Sequence, residues 1–159
     1  MFKVESSIAI NAPVGEVYDW IETPDKHHEW QASLLECRDT DDGKRVVVRN
    51  VLGRRMETHF DEFERVPNKV IRRRGKSGPG MPVSYTIEQD TQFEEVDGGT
   101  KVTVTSQVDT KGMLRAALPA LSRVARHEQD VSLAHLKELV EASPDLREVL
   151  AQVPHCVEA

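Results

Sequence analysis

The hydrophobic period of this chain changes along its length, and the positions of the changes limit the folds open to it. Residues 2–11 alternate, with Val4, Ser6, Ile8 and Ile10 on one side and Lys3, Glu5, Ser7 and Ala9 on the other, as a strand requires. Asn11-Ala12-Pro13 ends that strand. Pro13 suits the first turn of a helix, where its missing N–H has no partner to lose. Val14, Val17, Tyr18 and Ile21 then recur at the i, i+3, i+4, i+7 spacing of a buried helical stripe. Thr23-Pro24-Asp25 closes this helix and opens a second, short one that reaches Trp30.

From Leu34 to Lys111 the period is two. The spacing predicts strands over 34–40, 44–52, 54–65, 69–77, 83–94 and 100–110. Between them stand turn-forming groups: Asp41-Asp42-Gly43, Pro67-Asn68, Gly78-Pro79-Gly80 and Asp97-Gly98-Gly99. After Lys111 the pattern is helical to about Ala142. Pro119 separates a short lead-in from the main helix, and Ser143-Pro144 supplies a stop. With the first strand this makes seven strands joined by short, hence antiparallel, connections. Strands followed by one terminal helix indicate an α+β fold. The sheet must cover its apolar face, and only the C-terminal helix is long enough to do so. A chain of 159 residues suits a single domain that buries roughly 70% of its unfolded surface. The expected domain is 1–142, with 143–159 as a tail in which Leu146, Val149 and Leu150 can add a helical turn.

Charge and motif content remove several function classes. Net charge is −6. The nearest thing to a basic tract, Arg72-Arg73-Arg74 with Lys76, falls in strand sequence, where successive side chains point to opposite faces. It makes no phosphate-binding patch, and no nucleic-acid partner is expected. No window approaches the ~20 apolar residues that span a bilayer, and residues 1–7 hold no apolar stretch of signal-peptide length. Cys37 and Cys156 match no metal or redox spacing. A cytoplasmic protein with reduced thiols and no stable membrane insertion is expected. His27 and His28 are adjacent with no third ligand at suitable spacing, so no metal is assigned. Phosphate-loop, nucleophile-elbow and dinucleotide motifs are missing, so no cofactor is assigned.

In order along the chain, Ile10-Asn11-Ala12-Pro13 runs into Glu16-Val17-Tyr18, and Pro24-Asp25 leads to Glu29-Trp30. Gly53-Arg54-Arg55, Ser77-Gly78-Pro79, Gly98-Gly99-Thr100-Lys101-Val102-Thr103 and Leu136-Lys137-Glu138-Leu139 follow. This series resembles the START-like (SRPBCC) superfamily, in particular its polyketide cyclase/dehydrase-type branch, over residues 2–142. The resemblance implies a helix-grip fold: a seven-stranded curved antiparallel sheet around a long C-terminal helix, with two short helices between strands 1 and 2. It also implies a pocket between sheet and helix for a small hydrophobic molecule. Members of the superfamily include cyclases, dehydratases, lipid carriers and hormone receptors, so the fold leaves two functions open. One is binding of a lipid-like, polyketide-like or aromatic ligand. The other is a polyketide cyclase/dehydratase-type enzyme that folds a poly-β-ketone and assists loss of water with an acid and a base.

The residues that would serve such a pocket come from six stretches. On a wheel of about 100° per residue, Leu121 and Leu139 share a direction, and Leu118, Val124, Ala125 and Leu136 lie within about 60° of it. Glu128 and Ser132 fall near the centre of that face, and His135 lies one turn on. Glu128 either pairs with a sheet arginine or lines the pocket, where apolar walls would raise its pKa and let it move protons. The sheet contributes Met56, Thr58 and Phe60 on one strand, Val83, Tyr85, Ile87 and Gln89 on a second, and Val102, Val104, Ser106 and Val108 on a third. A buried Tyr85 phenol would need a partner. Arg72 and Arg74 share one phase of strand 69–77 and would bind a carboxylate or phenolate if that phase is inward; Ile71 and Arg73 offer the opposite phase. Trp30 resembles the family's tryptophan after the first helices, a wall residue near the pocket mouth. Glu128, His135 and Tyr85 are the candidates for proton transfer.

Overall fold

The computed structural model describes residues 1–142; the expected tail, with Leu146, Val149, Leu150 and Cys156, lies outside the described residues. Strand β1 (Phe2–Ile10) leads into helix α1 (Val14–Glu22), a 3-10 turn (Pro24–Lys26) and helix α2 (His27–Trp30). Six strands follow: β2 (Leu34–Asp39), β3 (Arg45–Val51), β4 (Arg54–Val66), β5 (Val70–Ser77), β6 (Tyr85–Val96) and β7 (Gly99–Thr110). A 3-10 segment (Gly112–Ala117) then enters helix α3 (Leu118–Glu141). Pro119 stands in the first turn of α3, where a missing N–H breaks no helical bond. All strands join one sheet in the order β1-β7-β6-β5-β4-β3-β2, with every neighbouring pair antiparallel. The sheet curls around α3 in the helix-grip arrangement.

Helix α3 also closes an edge. Strand β1 pairs with β7 on one side only, and its other edge would present bare carbonyls to a neighbouring chain. Arg126 Nη2 donates to Glu5 O at 3.0 Å, and Lys137 Nζ donates to Ala9 O at 2.7 Å. Just beyond the strand, the Asn11 N–H donates to Glu141 Oε1 at 2.6 Å. The basic residues of one helix face therefore serve as the partner of the edge strand.

Packing is uneven along α3. The larger core cluster joins Ile10, Val17, Ile21, Trp30, Phe93 and Val102 to Leu133, Leu136, Leu139 and Val140 of the second half of the helix. A smaller cluster of Leu34, Cys37, Val47 and Phe60 lies under β2–β4. Leu133, Leu136 and Val140 are rotated about 60–120° from the Leu121–Leu139 line, so the packed face is offset from the one the wheel singles out. Leu121 itself is only half-buried.

Two local features set which side chains point inward from β4 and β5. The β4–β5 register shifts between Phe60 and Glu62, an extra residue in β4. A strict period of two would place Glu62 and Glu64 beside Phe60; the bulge turns Phe63 there instead. Opposite Phe60 stands Gly75, where a Cβ would lie 2.6 Å from His59 O and 2.9 Å from Phe60 Cδ1. Only glycine lets the two strands pair while the Phe60 ring lies over that position.

Leu139, 4% exposed, belongs to the solid part of the core, whereas Leu121 borders open space. Leu139→Ala is therefore expected to cost about 2–5 kcal/mol, and Leu121→Ala no more than about 1 kcal/mol, measured by urea unfolding. Equal losses would show that the helix is packed solidly along its whole length.

Candidate functional site

Between the sheet and the first half of α3 lies a cavity of about 560 Å³. Trp30, Met56, Thr58, Phe60, Tyr85, Ile87, Val104, Leu121, Ala125, Glu128 and Ser132 all line it. They come together because Met56, Thr58 and Phe60 share the inward phase of β4, and β5, β6 and β7 continue the concave surface in register. Leu52 and Arg54, exposed members of the lining, stand at the rim. Leu52 belongs to the two-residue β3–β4 turn, in which Leu52 and Gly53 both have positive φ, 51° and 79°, and Arg54 follows it.

Several expected residues are placed elsewhere. Arg72 and Arg74 lie on the outer face of the sheet, not in the cavity. Arg72 pairs with Glu64 and Asp90 at 3.3 and 2.9 Å, and Arg74 with Glu62 and Glu88 at 3.3 and 2.9 Å. The reason is the phase of β5: Ile71 and Gly75 are buried, so Arg73 shares the inward side with them. His135 is half-buried and does not line the cavity; at about 40° from the Leu121–Leu139 line, it lies on the side away from Leu133 and Val140. Trp30 lines the cavity but also belongs to the core. It is 6% exposed, packs in the larger core cluster, and its indole N–H donates to Trp20 O at 3.2 Å.

The polar residues of the predicted face of α3 hold a neighbouring segment in place. The Ala32 N–H donates to Ser132 Oγ at 2.9 Å, and the Ser33 hydroxyl donates to Glu128 Oε2 at 2.5 Å. Ser33 has φ 60°, so these two contacts restrain a strained linker between α2 and β2. Tyr85 is likewise satisfied: its hydroxyl donates to Glu57 O at 2.9 Å and lies 2.7 Å from Thr58 Oγ1. Burial pushes this phenol above its usual range, against the Thr58 contact.

The cavity also holds charged groups that the alternation did not single out. Arg45, Arg49 and Arg73 all line it. The Arg45 side chain is 3% exposed and meets Asp39 at 2.6 Å and Glu22 at 3.6 Å. Despite burial, these carboxylates keep its pKa above the usual arginine range. Arg49 donates to Ala32 O at 3.1 Å and to Gln31 Oε1. Burial lowers its pKa, and attraction to Glu128 opposes the shift. Arg73 is lowered to about 9, first by burial and then by repulsion from Arg49 and Arg45. It is still cationic at neutral pH. Its only sequence signal is its place opposite Arg72 and Arg74 in the strand alternation, and that signal has no sign until the inward phase is known.

His27, buried at the same end as Trp30, is neutral. Its Nε2–H donates to Ile21 O at 2.5 Å, and its Nδ1 lies 3.2 Å from Cys37 Sγ, close enough to accept the thiol proton. Burial pushes its pKa down to about 3, aided by the Arg73, Arg45 and Arg49 charges and opposed by the Ile21 carbonyl. The Cys37 thiol is pushed up by burial, which makes it a packing group rather than a nucleophile. Among the described residues no cluster of three or more His, Cys, Asp or Glu side chains is arranged to hold a metal, and no helix is long and apolar enough to cross a membrane.

The sequence matches the family described as polyketide cyclase / dehydrase and lipid transport over residues 1–141. No curated protein matches it. Among solved structures, a conserved protein from Geobacillus kaustophilus is similar at TM-score 0.75 and 14% identity, covering 87% of this chain and 95% of that one. A protein from Thermus thermophilus is similar at TM-score 0.69 and 18% identity, covering 96% and 100%. The di-domain ARO/CYC BexL from the BE-7585A biosynthetic pathway is similar at TM-score 0.63 and 18% identity, covering 90% of this chain and 51% of that one. At these identities the likeness is one of fold.

The state of His27 has a measurable consequence. Its folded pKa of about 3 lies below the ordinary 6.5, so below pH 6.5 the unfolded chain takes up a proton that the folded chain refuses. The stability contributed by the neutral imidazole is complete above pH 6.5 and is lost as pH falls toward 3. The loss is at most about 1.4 kcal/mol per pH unit. Unfolding free energies measured from pH 7 down to 4 are expected to fall more steeply for the wild type than for His27→Gln. Identical slopes would mean that the imidazole is solvated in the fold.

Proposed function

The chain belongs to the polyketide cyclase / dehydrase and lipid transport family, and on that premise we propose that it binds a small hydrophobic ligand, lipid-like, polyketide-like or aromatic, in the cavity between the sheet and α3. The observation that carries this reading is the contrast within the molecule. One half of α3 is packed solidly against the sheet and α1. The other half stands off a cavity of about 560 Å³ walled by Met56, Phe60, Ile87, Val104, Leu121 and Ala125. That volume is within the range of small-molecule sites, roughly 300–1,000 Å³. An apolar space of this size lowers stability in an empty protein, because its walls lose contacts on one side. A ligand recovers those contacts.

The polar groups support holding rather than turnover. Tyr85, Glu128 and Ser132 are each engaged by the protein's own backbone or hydroxyls, and His27 is locked between Ile21 and Cys37. An enzymatic reading, with Tyr85 as acid and Glu128 as base for loss of water, rests on the fact that both line the same cavity. It requires at least one of them to leave its present partner.

The test is occupancy of the cavity. Nile red, a neutral dye whose emission rises in apolar surroundings, should bind the wild type at one saturable site and be displaced by dodecanol. Ala125 faces the cavity from α3, so Ala125→Trp should fill part of the space, weaken dye binding by at least about tenfold and leave the thermal melt within a few degrees of wild type. Dye binding that is unchanged in this variant, or that appears only on partial unfolding, would overturn the proposal.

A further inference from the structure

The geometry points to an anionic ligand: we infer that the molecule held in this cavity carries a carboxylate or a similar planar oxyanion, and that Arg73 receives it. The inference rests on the binding function proposed above and names the chemistry of its ligand.

Three guanidinium groups line the cavity away from its rim, those of Arg45, Arg49 and Arg73. Only Arg45 meets carboxylates at ion-pair distance, those of Asp39 and Glu22. Arg49 is attracted to Glu128, and Arg73 more weakly to Glu22, without contact. Among the described residues no carboxylate forms an ion pair with Arg73. Its Nε donates to Gln89 Oε1 at 2.6 Å, and its guanidinium carbon stands 4.1 Å from the centroid of the Phe60 ring. That stacking fixes the plane of the group without neutralising it.

The contact with Gln89 begins a directed series. Gln89 Nε2 donates to Ser106 Oγ at 3.0 Å, the Ser106 hydroxyl donates to Gln129 Oε1 at 2.8 Å, and Gln129 Nε2 donates to Val104 O at 3.0 Å. Each group uses its acceptor toward Arg73 and its donor away from it, across β5, β6, β7 and α3. The two side-chain amides and the hydroxyl thereby hold Arg73 Nε in a directed series. No acceptor among the described residues is hydrogen-bonded to its Nη1 or Nη2, which are the atoms that grip a carboxylate as a pair. A buried cation without a counter-ion is costly, and an anion arriving with an apolar body would remove that cost. The net charge of −6 offers no general attraction to anions, so any selectivity must arise from these local groups. The outer-face arginines, Arg72 and Arg74, are already paired.

The experiment compares displacement of Nile red by dodecanoate and by dodecanol, at a pH where the carboxylate is ionised. The wild type should bind dodecanoate about ten- to a hundredfold more tightly than dodecanol. Arg73→Met, which keeps the length of the side chain and removes the charge, should bring the ratio close to one while still binding Nile red. Arg72→Met and Arg74→Met should keep the wild-type ratio. Equal affinities in the wild type would overturn the proposal even if Arg73→Met fails to fold, as would a preference that survives in Arg73→Met. Wild-type protein that binds neither Nile red nor either ligand would instead overturn the pocket itself, and this inference with it.

Discussion

One helix has to cover the concave face of a seven-stranded sheet, and it is too narrow to do so. Seven strands spaced about 4.8 Å apart span roughly 29 Å across their six intervals before curling, while a helix with its side chains is only about 10 Å wide. Curling brings the sheet around α3 but does not remove the mismatch. At one end α1 and α2 fill much of the remaining space, and Val17, Ile21, Trp30, Leu136 and Val140 share one core cluster. At the other end no further element among the described residues fills it, and the cavity is the result. The pocket is thus a consequence of having, among the described residues, one long helix and two short ones, with the short ones both at the same end.

The same geometry sorts the charges. On the outer face Glu62, Glu64, Arg72, Arg74, Glu88 and Asp90 form cross-strand pairs in water, where each is worth little. On the inner face an arginine without such a partner is desolvated, and the neighbouring arginines make its position worse. A structure that keeps such a residue is using it as part of a polar track that crosses four elements. The track stands beside apolar walls, which gives the cavity two chemically distinct surfaces and suits an amphipathic occupant.

At the α2 end of the cavity the buried His27 and Cys37 stay uncharged. His27 and Cys37 share a buried contact between α2 and β2, and the Ile21 carbonyl takes the other imidazole proton. Ala32 and Ser33, just beyond α2, are tied to Ser132 and Glu128. The linker that closes one wall of the site is therefore fastened both to the sheet and to α3. The polar track on α3, which reads as a candidate reaction centre when only the helix wheel is considered, is in part this fastening.

Element order, the antiparallel meander and part of the cavity wall follow from the amino-acid sequence alone. Period-two alternation, turn chemistry at Asp41-Asp42-Gly43 or Pro67-Asn68, and a terminal helical stripe are local properties, and local conformational preferences suffice to read them. Met56, Thr58, Phe60 and Ala125 were legible for that reason. The inward phase of β5 is a different matter and was settled by tertiary contacts. Alternation separates Arg73 from Arg72 and Arg74 but assigns neither set to the interior. The assignment is made by the extra residue in β4 and by Gly75 lying under Phe60, both of which are relations between strands. His135, which does not line the cavity, was misplaced for a related reason. A wheel or a motif gives a direction on its own element, whereas the distance from the cavity depends on where α1, α2 and the sheet meet that element.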